Sequence, residues 1–390
     1  MKNYKLKTLL TIFCIIGLYS CQQDEFTDDL ESEQDDSIKE VLKASYPKNL
    51  NFGFHFINSY GSYRKGIDQN TNVPYSLSDD YYDPDKKTII FFHGWQTGQN
   101  RQYILTNYSG KGNVTKKWKD LGWNVAVFFW DDFAIEGEVQ HAEAKIHSHK
   151  GPKAMNFTDE KGSYSASGIN LSVTSLALGQ YKAIFKNQKQ PVRFAGHSLG
   201  SQLACSLGYV IAIQEQAGSV PRMIVPNRIE LLDPFWSKGT KSYLGTSTGK
   251  KTETYCRYLI DNYNVPITWY KSSAFSNVGI GDLNRSLSRY VAYQHNKFWY
   301  LGPPGFSNGI GVKHNEIPFT YFNSIQYAAP AEVDYKFPRR KIYTGYKAAS
   351  ASSTNSEIRR MMIRNKEWRQ TEGRRTETPA DDQFEMFNKK

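Results

Sequence analysis

The chain has 390 residues, 39% hydrophobic and 14% aromatic, with a formal net charge of +11 at pH 7. That is enough for one large α/β domain or two small ones, and the absence of any solenoid-length repeat or heptad removes repeat and coiled-coil architectures. Basic residues are scattered and concentrate again beyond Pro338 without a helix-turn-helix, zinc-finger or RNP-like pattern, so the charge reads as a solvated surface and not as a nucleic-acid interface.

At the N-terminus, Lys2, Lys5 and Lys7 precede an apolar run over residues 9–18. The run is too short to span a membrane, and residues 1–20 read as a signal peptide. The sequence Leu18-Tyr19-Ser20-Cys21 resembles a bacterial lipobox. The resemblance implies cleavage that leaves Cys21 as a lipid-bearing N-terminus, membrane attachment through that lipid, and a place at the outer membrane or cell surface. Residues 21–45 carry Asp24, Glu25, Asp28, Asp29, Glu31, Glu33, Asp35 and Asp36 and read as an acidic disordered tether. Acidic residues at that place also resemble surface-export signals of some outer-membrane lipoproteins; a plain spacer is the alternative.

From residue 46 to 337 the pattern is that of an α/β domain. Short apolar runs rich in β-branched or aromatic residues, at 88–92, 124–130, 192–195, 228–232, 267–270 and 290–293, predict buried parallel strands. Helical stretches lie between most of them, including residues 171–185 and the run carrying Leu203, Leu207, Val210 and Ile211. Alternation of this kind predicts a mostly parallel sheet with helices on both faces. Residues 134–167 are polar and weakly periodic and read as a long excursion over one end of the sheet. Residues 338–390 read as a polar basic tail with at most one helix, near 357–368. Cys205 reads as a small buried hydrophobe, and the cysteine spacing contains neither a disulfide framework nor a zinc pattern.

The run "VRFAGHSLGSQLACSLG", residues 192–208, places Gly196-His197-Ser198-Leu199-Gly200 between an apolar strand and a helical stripe. Alone, G-x-S-x-G is weak; chance produces it about once in six chains of this length and composition. Gly245-Thr246-Ser247-Thr248-Gly249 also matches, in a polar stretch with no strand before it, and reads as a loop. Only the Ser198 copy has the strand–turn–helix setting that exposes a serine oxygen above a helix N-terminus. A second strand ends in His93-Gly94-Trp95. In this class of sheet the backbone N–H groups of Trp95 and Leu199 are the expected oxyanion hole.

The patches "IIFFHGW", "VAVFFW", "FAGHSLGSQLA", "IELLDPF" and "KHNEIPFTYFNSI", spread over residues 88–325, resemble the α/β-hydrolase superfamily and, within it, the pancreatic-type lipase family. The resemblance implies the α/β-hydrolase fold and a triad in the chain order serine, acid, histidine. Of eight histidines, only His295 and His314 follow Ser198. His314, in a predicted loop after the last strand and ahead of "FTYFNSI", matches the lipase pattern, and His295 reads as a strand-end residue. Asp233, before Pro234, matches the lipase L-D-P; Asp282 stands where most other α/β-hydrolases place their acid, and Asp261 reads as surface. His197 reads as structural. His141, Glu143, His147 and His149 read as solvated, with neither metal nor cofactor called for.

The expected function is a serine ester hydrolase, a carboxylesterase, lipase or phospholipase A1-like enzyme. Its substrate is a small-molecule ester or a phospholipid. A peptidase or acyltransferase on the same triad and a catalytically inactive surface binding protein are the rivals. Neither the long lid nor the C-terminal β-sandwich of larger family members is expected, since the segment 302–313 ahead of His314 is short and the tail is too polar to form a sandwich. Trp95, Phe235, Trp236 and Trp299 are candidates for an apolar wall around the cleft.

Overall fold

The computed structural model describes residues 46–71, 73–96, 104–107, 110–274, 279–302, 309–336 and 340–389. The expected signal peptide, the lipidation site Cys21 and the acidic tether lie outside the described residues, as does 303–308 of the segment ahead of His314. The described residues belong to one compact unit, Ser45–Lys390.

Twelve strands form one sheet. In chain order they are β1 (Gly53–Ile57), β2 (Tyr63–Lys65), β3 (Lys87–Phe92), β4 (Trp123–Phe129), β5 (Val192–His197) and β6 (Arg228–Leu232). Then follow β7 (Ile267–Lys271), β8 (Ala292–His295), β9 (Ala331–Lys336), β10 (Arg340–Lys347), β11 (Lys366–Glu372) and β12 (Gln383–Asn388). Across the sheet the order is β10-β9-β12-β11-β8-β7-β6-β5-β3-β4-β1-β2. From β4 to β11 every neighbouring pair is parallel, and β1 joins β4 antiparallel. A mostly parallel sheet in this order, with β5, the strand that leads into Ser198, near the middle of its parallel part, is the α/β-hydrolase fold.

The central strands are continuous apolar runs because both faces are covered. Ile89, Phe91, Val125 and Val127 point to one side, into a cluster with Phe319, Tyr321 and Phe322 of helix α5 (Gly309–Asn323) and Ile358 and Met361 of helix α6 (Asn355–Ile363). Phe92 and Phe194 point to the other, where Tyr181 of helix α2 (Val173–Phe185) meets Phe194 at 5.7 Å between ring centroids. Helix α3 (Leu199–Gln216) covers the same side, flanked by α2 and by helix α4 (Thr248–Tyr263). Each fully buried aromatic or aliphatic side chain contributes about 1.5–3 kcal/mol.

Three expectations are corrected. The polar tail expected over 338–390 is part of the fold: β10, α6, β11 and β12 extend the sheet and its cover. Trp368 is fully buried there, and its indole donates to Glu332 Oε2 at 2.8 Å. One face of each added strand stays polar, so few apolar residues mark it as a strand. Within the excursion, Glu143 is buried where a solvated side chain is expected. Helix α1 (Val139–His147) there buries Glu143 and Lys145 completely, and Lys145 donates to the carbonyls of Phe133 and Asn156 and to the Glu136 carboxylate. Lastly, Ser247 does not sit in a loop but caps α4, accepting the Lys250 N–H at 3.2 Å.

Candidate active site

β5 runs straight into α3, and the single residue between them is Ser198, at φ 54° and ψ −122°. A non-glycine residue in that region is strained and persists only where its surroundings force it. The two glycines of the turn show what forces it. A Cβ on Gly196 would lie 2.3 Å from the Gly200 oxygen, and one on Gly200 would lie 2.0 Å from the Phe92 oxygen. Strand, turn and helix are therefore in backbone-to-backbone contact. The Ser198 N–H donates to the Leu232 carbonyl at 3.1 Å, and Ser201 Oγ donates to the Gly196 carbonyl at 2.6 Å.

Across from the turn, β3 ends in His93-Gly94-Trp95. Gly94 lies against the serine: a Cβ there would be 2.7 Å from Ser198 Cβ and 3.3 Å from its Oγ. This segment is braced by Trp130, whose backbone N–H donates to His93 Nε2 at 3.1 Å and whose indole donates to the His93 carbonyl at 2.8 Å. With Nε2 accepting, the ring proton sits on Nδ1 and is donated to the Gly94 carbonyl at 2.9 Å. The Trp95 indole donates to the Glu136 carbonyl at 2.7 Å, which ties the segment to the excursion. Leu199 opens α3, so its N–H lies among the unpaired donors at a helix N-terminus.

Asp233 follows β6 directly, with φ 43°, and its N–H donates to the Tyr270 carbonyl of β7 at 2.7 Å. Its carboxylate is buried and accepts the Nδ1–H of His314 at 2.8 Å. It also accepts the N–H groups of Ser272 and Ser273 at 3.0 and 3.3 Å, and the Ser273 hydroxyl. Burial alone would raise this carboxyl. The hydrogen bond and charge of His314, the charge of Lys271 and the Ser273 hydroxyl outweigh it and hold the group below the usual carboxylate range.

His314 lies within α5 and not in the predicted loop, because Gly309 and Gly311 hid the start of the helix. Its backbone carbonyl accepts the Nε2–H of His197 at 2.9 Å, and the two rings lie 4.5 Å apart. Burial and the charge of His314 push His197 down to about 3, so it stays neutral and structural. The Ser272 hydroxyl donates to the Lys313 carbonyl at 2.8 Å, a second clamp on the start of α5.

The structure thus brings together Ser198, through its neighbour His197, with His314 and Asp233, and sets His93-Gly94-Trp95 against the serine. It does not bring in Asp282, whose Oδ1 accepts the Asn284 N–H at 2.9 Å and which lies beside Gly249 at the start of α4. His295 ends β8, three strands from β5, and burial with the charges of Lys271 and Lys297 pushes it down to about 4. Asp261 is exposed on α4. Of the aromatic candidates, Trp236 is core, fully buried with its ring 5.0 Å from Trp269, and Phe235 is buried as well. Trp95 and Trp299 are half-buried, with the Arg374 guanidinium 4.0 Å over the Trp299 ring.

Sequence reasoning missed two supports. One is the Ser272–Ser273 pair, whose signal was its place directly after β7 at the carboxyl end of the sheet. The other is Glu143, expected to be solvated. It is buried and accepts Gln202 Nε2 at 2.7 Å, Thr248 Oγ1 at 2.7 Å, and the N–H and hydroxyl of Ser237. Gln202 also donates to the Phe235 carbonyl at 2.6 Å, and its oxygen lies 2.8 Å from His147 Nε2, so the excursion, α3 and the loop after Asp233 share one network. His147, also expected to be solvated, is thereby part of this network.

No family model matches the chain, and no curated protein does. Among solved structures it is similar to esterase 2 of Thermogutta terrifontis phosphonylated by cyclosarin, at 12% identity, over 59% of this chain and 71% of that one, with a TM-score of 0.26. The same esterase phosphoramylated by tabun matches at 13% identity, over 73% and 98%, with a TM-score of 0.30. Est1E from Butyrivibrio proteoclasticus with bound ferulic acid matches at 10% identity, over 58% and 78%, with a TM-score of 0.28. Likenesses this distant bear on neither substrate nor site residues, and the fold assignment rests on the sheet order and the Ser198 turn.

Proposed function

We propose that the chain is a serine ester hydrolase in which Ser198 is the nucleophile, His314 the general base and Asp233 the residue that orients it. The observation that carries this reading is the 2.8 Å hydrogen bond from His314 Nδ1 to a buried, ionised Asp233, formed beside a serine strained at φ 54°. With its Nδ1–H hydrogen-bonded to the Asp233 carboxylate, the imidazole offers a bare Nε2 to take the Ser198 proton. Ser198 Oγ then attacks the ester carbonyl, and the N–H groups of Trp95 and Leu199 receive the oxyanion. The alcohol leaves with the proton from His314, and water deacylates the serine by the same route in reverse.

The finer reading is a lipase-branch enzyme acting on short- to medium-chain esters or phospholipids, held at the membrane by a lipid on Cys21. The L-D-P at Asp233 and the "FTYFNSI" after His314 support the branch, and the lipobox-like sequence supports the anchor. A fluorophosphonate probe tests the activity: it should label wild type and not Ser198→Ala, and labelling of the variant would refute the nucleophile. Cys21→Ser should move the protein from membrane to soluble fractions with its activity intact, and a variant still sedimenting with membranes would refute the anchor.

A further inference from the structure

Cys205 lies on α3, two turns beyond Ser198, and Cys256 lies in the middle of α4. Their sulfurs are 3.4 Å apart across 51 residues of chain, and both side chains are fully buried. The two helices are locked side by side at this point, with the Tyr209 ring 4.7 Å from that of Tyr255 and 5.1 Å from that of Tyr258. A disulfide bond is about 2.05 Å long, so the sulfurs need to approach by only about 1.4 Å. We propose that Cys205 and Cys256 are a modification site, joined in an oxidising compartment as one intramolecular disulfide.

The oxidant is of the thiol–disulfide exchange class. One cysteine thiolate displaces a thiol from a partner disulfide, and the second thiolate then attacks that mixed disulfide and releases the other partner sulfur. The two cysteines lose two protons and two electrons, and the partner disulfide becomes two thiols. The bond forms as the chain folds, before α4 closes over α3. Once the helices are packed, the hydrogen bond to Cys205 and burial raise the Cys256 thiol, and no reagent reaches either sulfur. The closed loop contains β6 and Asp233, so the bridge covalently fastens the nucleophile helix to the helix that follows the acid. That the chain reaches an oxidising compartment rests on the signal-peptide reading; the chemistry of the pair does not.

The full-length chain, unfolded in reductant, is refolded at about pH 8 with reduced and oxidised glutathione, where thiolates exchange. It is then denatured in guanidinium chloride with N-ethylmaleimide present, so that any free thiol is exposed and capped, and digested with trypsin without reduction. The peptides 194–222 and 252–257 should appear as one linked species, about two mass units below their sum, that separates on reduction. Cys205→Ala, Cys256→Ala and the double variant should each melt several degrees below the linked protein, the double variant falling by less than the sum. Where an alanine variant does not fold, the serine variant takes its place. Maleimide on both cysteines, or bonds to Cys14, Cys21 or glutathione in place of the pair, overturns the proposal whatever the fate of the export reading.

Discussion

Gly200→Ala probes how tightly the Ser198 turn is built. The new Cβ would lie 2.0 Å from the Phe92 carbonyl oxygen and 2.6 Å from that of His93. Both are backbone atoms, so neither can swing aside as a side chain would. Opening the Phe92 contact to an ordinary 3.4 Å requires a shift of about 1.4 Å. Either α3 lifts away from β3 and carries the Leu199 N–H with it, or the Phe92–His93 backbone retreats and carries Gly94 and Trp95. Both movements separate the two proposed oxyanion donors. Overpacking of this kind costs about 1–3 kcal/mol, less than the roughly 5–15 kcal/mol that holds a domain together, so the variant should fold. A donor displaced by about 1 Å costs a factor of about 100 to 1000 in turnover. On a short-chain p-nitrophenyl ester, kcat should fall by that factor, KM should stay within about threefold, and the melting midpoint should drop by a few degrees. Gly311→Ala is the control: it is exposed inside α5 with nothing within 4 Å of the added carbon, and it should gain about 0.5–1 kcal/mol in helix stability. A folded Gly200→Ala protein with kcat within threefold of wild type would refute the argument.

Three further outcomes are expected. Asp233→Asn should fold and lose about four orders of magnitude in kcat by presenting the wrong imidazole tautomer, while Asp282→Asn changes kcat by no more than a few-fold; the reverse order would move the acid. Ser198→Ala should lower ester hydrolysis by about four to six orders of magnitude, whereas Ser247→Ala should keep its activity and lose about 1 kcal/mol of stability as a lost helix cap, read by urea unfolding. Burial depresses His197 to about 3 and His295 to about 4, yet both titrate near about 6.5 once unfolded. Between those values the unfolded chain binds more protons, so stability is complete above about pH 6.5 and falls as the pH drops. His197 alone, 7% exposed, should account for a loss of about 2 kcal/mol at pH 5. Urea midpoints from pH 8 to 5 that do not fall, or that fall as steeply in His197→Asn, would contradict this.

Much of the site was legible because its elements are local. An apolar strand, a glycine-bounded serine and a helical stripe occupy seventeen consecutive residues, and the crowding at Gly196 and Gly200 is a property of that segment alone. His314 is singled out by its neighbours in sequence although its helix is not, because the glycines before it disguise the helical period. The aromatic wall was read less well. Trp236 and Phe235 follow Asp233 at the carboxyl end of the sheet, and only their packing shows that they face inward.

What the sequence determined by itself is the parallel core and the strained serine, since strands buried on both faces are unbroken apolar runs and a sharp turn demands its own glycines. Tertiary structure decided the rest. Asp233 meets His314 across 81 residues, and Glu143 meets Ser237 across 94, distances over which no local period carries information. The same holds for the C-terminal strands. Trp368 and Gln370 are buried while the residues between and beside them stay partly open, a half-polar pattern that becomes a strand only where β8 supplies the parallel partner. A charged residue such as Glu143 or Lys145 reads as solvated until the fold delivers the donors and acceptors that make its burial tolerable.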